Sequence, residues 1–92
     1  MLVMVIERFK KDAIDKVGER YRAKGRMMPD GVAYVSSWLD DEGTICYQLM
    51  EAPAPAALKP WTDAWDDLMD FELVPVSTSA EFWAKRAERG AT

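Results

Sequence analysis

The chain has 92 residues, with 12 Lys and Arg against 16 Asp and Glu, so its formal net charge is −4. It contains no histidine and one cysteine, Cys46. These counts exclude a Ser-His-Asp triad, a histidine-based zinc site, a histidine-ligated haem and a disulfide within the chain. The acidic charge argues against nucleic acid as a partner, because binding to its backbone requires clustered Lys and Arg. We therefore expect no metal and no cofactor.

The size and composition predict one globular domain over residues 1–92. Hydrophobic residues make up 49% and charged residues 30% of the chain, a balance typical of folded rather than disordered proteins. The apolar run Met1–Ile6 ends at Glu7, which makes it too short for a signal peptide core or a membrane span. With the unpaired cysteine, this predicts a cytoplasmic protein without a membrane partner.

Hydrophobic periodicity and turn residues divide the chain into strands and helices. Short apolar runs predict strands, whereas apolar residues three or four positions apart predict helices. In chain order we expect a strand at 2–9, a helix from about 12 to 24, strands at 32–39 and 44–51, a helix ending near 69, a strand at 71–76 and a short helix opened by Thr78. The acidic turn 40–43 lacks the alternating ligand spacing of a calcium loop.

Glycine and proline indicate where several of these elements end. Asp12 can cap the first helix and Gly25 can stop it. Pro75 places the last strand at a sheet edge, because proline cannot donate to a ladder on both sides. Pro60 predicts either a one-turn prelude and a helix beginning near it, or a kink. A shared apolar face in this stretch predicts core positions for Leu58, Trp61, Trp65 and Leu68.

The element order strand, helix, strand, strand, helix, strand predicts a ferredoxin-like α+β fold, with four antiparallel strands and two helices on one face. Right-handed crossovers give the strand order 4-1-3-2. We assign to the helix-covered face Leu2, Met4, Ile6, Val35, Leu39, Ile45, Tyr47, Leu49, Phe71 and Leu73. We assign to the bare face Val3, Val5, Glu7, Tyr34, Ser36, Trp38, Cys46, Gln48, Met50, Glu72, Val74 and Val76. Because this second set is too apolar for water, we expect a homodimer that buries it between two sheets, a dimeric α/β barrel.

The same strand order predicts a polar row on the bare face. Glu7 and Trp38 lie late in their strands, and Cys46 and Glu72 lie early in theirs, so all four reach the same end. Two partly desolvated carboxylates repel, which raises one pKa and makes Glu7 and Glu72 a candidate catalytic acid/base pair. The stronger alternative is structural ion pairing of these carboxylates with Arg8, Arg26 or Arg86.

Candidate ligand-binding residues surround this row: Tyr34, Ser36, Trp38, Cys46, Gln48 and Met50. A buried amide such as that of Gln48 needs hydrogen-bond partners, which a second subunit or a ligand could supply. Trp38 and Tyr34 suit a flat aromatic molecule, although interface packing explains them at least as well. Cys46 has no histidine near it to lower its pKa, so packing explains it better than a nucleophilic role.

The sequence also resembles an uncharacterised bacterial family of similarly short proteins of unknown function. The matches cover nearly the whole chain: Met1–Phe9, Gly25-Arg26-Met27, Tyr34-Val35, Ser37-Trp38, Gln48–Glu51, Asp70-Phe71-Glu72 and Pro75-Val76. Pro60 departs from the uninterrupted helix expected there. The family resembles the dimeric α/β-barrel superfamily, which includes cofactor-free monooxygenases, haem-degrading enzymes and isomerases. The resemblance implies this fold and a homodimer, and it transfers no catalytic residues.

Three functions remain open from the sequence. The first is a small dimeric protein that binds a small apolar or aromatic metabolite between its sheets. The second is a cofactor-independent monooxygenase or isomerase that uses Glu7 and Glu72 as acid and base. The third is a purely structural or interaction dimer. An open space between the sheets favours the first two, and a filled one favours the third.

Overall fold

The computed structural model describes residues 1–90, so the last two residues of the predicted domain lie outside the described part. Within it, the chain is an α+β structure with a four-stranded antiparallel sheet and three α-helices. The elements are β1 (Leu2–Phe9), α1 (Ile14–Lys24), β2 (Ala33–Leu39), β3 (Ile45–Glu51), a 3-10 helix (Pro55–Leu58), α2 (Lys59–Trp65), β4 (Met69–Val76) and α3 (Ser79–Gly90). The strand order β2-β3-β1-β4 confirms the predicted order.

The predicted face assignment is wrong for the two central strands, β1 and β3. The side chains that they bury beneath the helices are Val3, Val5, Glu7, Cys46, Gln48 and Met50. Those that they leave on the open face are Leu2, Met4, Ile6, Ile45, Tyr47 and Leu49. Both sets are largely apolar, so the alternation along each strand did not show which set the helices cover.

The edge strands follow the prediction in part. Phe71 and Leu73 of β4 pack against the core, as predicted. In β2, a register shift between Tyr34 and Ser36 breaks the alternation. Val35, which was assigned to the helix-covered face, is exposed at this irregularity. Pro75 lies in the edge strand β4, which confirms its predicted position.

The core lies between the sheet and α2. Leu58, Trp61, Trp65 and Leu68 are all buried, which confirms the predicted apolar face. The Trp61 ring meets the Phe71 ring edge to face, with 5.3 Å between the ring centroids. These contacts fix α2 against β4 and the centre of the sheet.

Pro60 lies in the first turn of α2, directly after the 3-10 helix. The one-turn prelude was therefore the correct alternative, since a residue in the first helical turn has no intrahelical acceptor for its N–H. The helix ends at Trp65, whereas its end was predicted near residue 69. Strand β4 begins at Met69, two residues before its predicted start at residue 71.

No residue of α1 is buried, and its large apolar residues Ile14 and Tyr21 are exposed. The helix begins after Ala13 rather than at Asp12, because Asp12 has a φ of +59° and does not cap it. It ends as predicted at Gly25, whose φ is +67° and whose N–H donates to the Tyr21 carbonyl at 2.7 Å. Helix α1 is thus well formed but only loosely packed on the sheet.

The acidic turn between β2 and β3 is closed by Asp40. The Oδ1 atom of Asp40 accepts hydrogen bonds from the N–H groups of Thr44, at 2.7 Å, and Ile45, at 3.0 Å. Hydrogen bonds from the Thr44 side chain and from these backbone groups lower the pKa of Asp40. Within residues 1–90, no three or more Asp, Glu, Cys or His side chains are grouped to hold a metal ion.

Helix α3 is exposed along its whole length. The Thr78 hydroxyl accepts a hydrogen bond from the Glu81 N–H at 3.1 Å, which confirms Thr78 as the start of the helix. Phe82 and Trp83 pack edge to face against each other, and both are largely exposed. None of the helices in the described part of the chain has the length and hydrophobicity needed to cross a membrane.

Val5→Thr and Val74→Thr make the same chemical change on opposite faces of the sheet. Val5 is fully buried beneath the helices, so its new hydroxyl loses water, and we expect a loss of about 2 kcal/mol in the free energy of unfolding. Val74 is half-buried on the open face, so we expect a loss below about 0.5 kcal/mol. Urea unfolding at low protein concentration measures both, and equal losses would contradict the observed faces.

Candidate functional site

A cleft of about 600 Å³ lies between α1 and the sheet. Helix α1 contributes Ile14, Val17 and Tyr21 to one wall, and the indole rings of Trp61 and Trp65 line it from α2. The central strands form its floor with Glu7, Cys46 and Gln48. The cleft therefore combines a largely apolar lining with a few polar groups at its base.

Arg20 fixes α1 in this position by binding to α2 and the residues that follow it. Its guanidinium donates two hydrogen bonds to the Asp67 carboxylate, at 2.8 and 2.7 Å, and one to the Ala64 carbonyl at 2.9 Å. The guanidinium carbon also lies 5.4 Å from the centroid of the Trp65 ring. The hydrogen bonds from Arg20 lower the pKa of Asp67. Helix α1 is thus tied to α2 rather than pressed onto the sheet.

Glu7 is the acidic residue in the floor of the cleft. Its side chain points beneath the helices from the central strand, and the residue is only 5% exposed. Its Oε2 atom is buried and has no hydrogen-bond partner within the described residues. Burial raises the pKa of Glu7 from 4.5 to about 7, and the charge of Arg26 opposes this rise. At neutral pH the carboxyl is therefore divided between its protonated and ionised forms.

Strand β3 contributes two buried residues to the cleft, Cys46 and Gln48. Burial, reinforced by the nearby Glu7, raises the pKa of the Cys46 thiol to about 12. The thiol stays protonated at neutral pH and is not an activated nucleophile. Gln48 is buried, and its side-chain amide donates a hydrogen bond to the Met50 sulfur at 3.2 Å. This weak acceptor lies in the same chain, whereas a subunit or ligand partner was expected.

Arg26 follows α1 directly and borders the cleft. Its guanidinium carbon lies 3.8 Å from the centroid of the Tyr34 ring and 5.0 Å from that of Tyr21. Its Nη1 atom donates a hydrogen bond to the Tyr21 hydroxyl at 3.2 Å. Among the salt bridges between residues 1 and 90, none involves Arg26. Two aromatic rings thus hold a cation at the cleft that forms no salt bridge with a carboxylate in the described part of the chain.

The four residues of the predicted polar row lie on different faces of the sheet: Glu72, Glu7, Cys46 and Trp38. Glu7 and Cys46 are direct cross-strand partners, as that row requires. On the other side of β1, however, Glu7 pairs with Phe71, so β4 is offset by one residue from the expected register. Strand β2 is offset in the same way. A one-residue offset moves a side chain to the opposite face, which is why Glu72 and Trp38 lie on the open face.

The two carboxylates considered as an acid/base pair are consequently separated by the sheet. Glu72 forms a salt bridge with Arg8 at 2.9 Å, and both side chains are about half exposed. Ion pairing with Arg8 was one of the alternatives for this residue. Glu7 remains as a single buried carboxyl, near enough to Arg26 for that charge to lower its pKa.

Two of the residues predicted to bind a ligand, Cys46 and Gln48, line the cleft. Of the other four, Tyr34 lies against Arg26 and Met50 lies within the core. Ser36 and Trp38 lie on the open face. Arg26 was expected only as a possible ion-pair partner of Glu7 or Glu72 and was not predicted to line a cleft. Its position after the helix stop Gly25 was visible, but its contacts with two distant tyrosine rings were not.

The fold and the cleft define a small α+β protein with one buried carboxyl beneath its first helix. A family model described as a domain of unknown function (DUF3303) matches residues 1–90, and the chain belongs to this family. The search of the curated proteins and the search of the solved structures each found no match. The family match confirms the resemblance to an uncharacterised family and assigns no activity.

Glu7→Gln tests the buried carboxyl through the stability of the chain. Because the pKa of Glu7 is about 7 when folded and 4.5 ordinarily, the folded state binds more protons than the unfolded state between these values. The free energy of unfolding should therefore fall by about 3 kcal/mol as the pH rises through this window. Glu7→Gln should remove that decrease, as measured by urea unfolding across a pH series.

Glu72→Gln is the matched control, because it removes an exposed, ion-paired carboxylate from the other face of the sheet. It should leave the decrease unchanged. The chain has no histidine, so no imidazole titrates in this window. A decrease that persists in Glu7→Gln would show that another group causes it.

Proposed function

We propose that this protein binds a small, largely apolar and planar molecule in the cleft beneath α1. The observation that supports this function is the cleft itself, a space of about 600 Å³ with aromatic walls and the Glu7 carboxyl in its floor. Sites for small molecules typically measure about 300–1,000 Å³ and combine an apolar lining with a few directed polar groups. The proposed site lies within one chain, whereas the sequence had suggested a site between two sheets.

The buried Oε2 atom of Glu7 also supports a binding role. An acceptor without a partner in the protein lowers stability, and a bound molecule with an N–H or O–H group would satisfy it. Perturbed carboxyls of this kind occur preferentially at functional sites. A purely structural protein leaves both the cleft and this carboxyl without a role.

Acid/base catalysis by Glu7 alone is a second candidate function. Its pKa of about 7 suits a residue that accepts a proton from a bound substrate and returns it at neutral pH. A cofactor-independent monooxygenase or isomerase is the class of enzyme that this chemistry fits. Glu72 takes no part in this version, because it lies on the opposite face in a salt bridge with Arg8.

We further propose that two ferredoxin-like subunits associate through their open sheet faces into a dimeric α/β barrel. All four strands contribute apolar side chains to the open face, among them Trp38 of β2, Tyr47 of β3, Met4 of β1 and Val74 of β4. Trp38 is 54% exposed and Tyr47, its cross-strand partner, is 38% exposed. An apolar surface of this kind is typical of an association site, and a second copy with the same surface buries it symmetrically.

Gly18→Leu tests ligand binding by filling the cleft. Gly18 lies in α1 and lines the cleft, and a Cβ atom added there meets only the flexible end of the Arg22 side chain, at 3.3 Å. The variant should fold, since leucine favours helix more than glycine does. It should weaken binding of the neutral aromatic probe 2-naphthol by about tenfold or more, as measured by isothermal titration calorimetry.

Ala23→Leu is the control for this variant, because it adds the same side chain to an exposed position of α1 that does not line the cleft. Its affinity for 2-naphthol should equal that of the original chain. Equal weakening in both variants, or no binding by the original chain, would reject the cleft as the binding site.

Leu49→Lys tests the proposed dimer. Leu49 lies near the middle of the open face, opposite Met4 on β1 and Ser36 on β2. A lysine there meets water in a single chain but a second apolar face in a dimer, so it should halve the mass measured by light scattering. Ala23→Lys, on the outer side of α1, should leave the mass unchanged. A single-chain mass for the original protein at high micromolar concentration would contradict the proposal.

A further inference from the structure

We propose that the cleft selects an aromatic monoanion, whose anionic group binds Arg26 and whose hydroxyl or amino group donates a hydrogen bond to Glu7. This inference rests on the proposed function of the cleft and names the class of molecule that it takes. It follows from two groups at the cleft that the protein leaves incompletely satisfied, a cation at the border and an acceptor in the floor.

Arg26 provides the anion-binding group. The Tyr34 ring lies 3.8 Å from its guanidinium carbon and the Tyr21 ring lies 5.0 Å away, so the planar group is held in place by aromatic contacts. Within residues 1–90 its hydrogen bond to the Tyr21 hydroxyl leaves most of its N–H groups for another acceptor. A guanidinium binds a carboxylate through two parallel hydrogen bonds, so a carboxylate on the ligand fits this group.

Arg20 shows how the same chain neutralises an arginine when its role is structural. Its guanidinium makes two short hydrogen bonds to the Asp67 carboxylate. Arg26 has no equivalent carboxylate among the described residues. Its positive charge nevertheless reaches the floor of the cleft, because it lowers the pKa values of Glu7 and Cys46.

Glu7 provides the second contact. Among residues 1–90, its Oε2 atom is the buried side-chain oxygen without a hydrogen-bond partner, and Glu7 lines the cleft. A carboxyl accepts a hydrogen bond in both its protonated and its ionised form. A hydroxyl or amino group on the ligand therefore satisfies this oxygen, while the ring lies among apolar side chains.

The charges around the cleft favour one negative charge on the ligand rather than two. Two arginines, Arg22 and Arg26, line it together with three acidic residues, Glu7, Asp15 and Glu19. A dianion such as a phosphate monoester would meet net negative surroundings whenever Glu7 is ionised. A single carboxylate or enolate can instead pair with Arg26 and remain away from Glu7.

Three related probes separate the two contacts: 2-naphthol, 2-naphthoate and 6-hydroxy-2-naphthoate. In calorimetry, the hydroxynaphthoate should bind at least about tenfold more tightly than either single-group probe. Arg26→Gln should abolish its advantage over 2-naphthol and leave the affinity for 2-naphthol within about twofold. Glu7→Leu should abolish its advantage over 2-naphthoate, because the acceptor is gone.

Arg22→Gln is the matched control, since it removes another arginine from the cleft lining. It should retain the advantage of the hydroxynaphthoate, whereas an equal loss in both arginine variants would overturn the role of Arg26. If 2-naphthol binds and Gly18→Leu blocks it, but the carboxylate adds no affinity, the inference fails and the proposed function stands. If none of the three probes binds, both fail.

Discussion

The burial of the Glu7 carboxyl in the central strand is the constraint on which the rest of the site depends. Valines occupy the two preceding inward positions of β1, so a third apolar residue there would have extended the core. Glu7 interrupts that core close to the place where α1 crosses the sheet. Its burial raises its pKa to about 7, which means that the fold tolerates a group that destabilises it when ionised.

The loose packing of α1 agrees with the presence of an acidic residue, Glu7, in the sheet beneath it. A helix packed closely over Glu7 would enclose the carboxyl in an apolar core, but α1 buries no residue of its own. It is held instead by Arg20, through Asp67 and the Ala64 carbonyl. The result is an open space above the acidic residue, with Arg26 at its border. Glu7 thus limits the extent of the apolar core and forms part of the floor of the cleft.

The two faces of the sheet carry different kinds of residues. The helix side contains the core around Trp61 and the cleft around Glu7. The other side contains apolar residues and the salt bridge between Arg8 and Glu72. The proposed dimer through that side would leave the cleft of each subunit complete, so the proposed binding and the proposed association can be tested separately.

Features fixed by local chemistry were predictable from the sequence. The helix stop at Gly25 and the edge position of Pro75 follow from the backbone geometry of these residues, and Pro60 narrowed its segment to two alternatives. The strand order follows from the handedness of the crossovers. The covered face of β1 was not predictable, because both of its alternating sets are apolar. The cross-strand pairing of Glu7 with Cys46 was predictable, but the positions of Glu72 and Trp38 were not, because the register of β4 and β2 depends on tertiary pairing. The contacts of Arg26 depend on Tyr34, from another element, and leave no local pattern.

The most direct measurement is the titration of the Glu7 side-chain carboxyl by carbon NMR, with the signal assigned by its absence in Glu7→Gln. The expected pKa is about 7, because the carboxyl is buried beneath the helices. A pKa near the ordinary value of 4.5 would show that the carboxyl is solvated, and would contradict both the buried floor of the cleft and the role assigned to it.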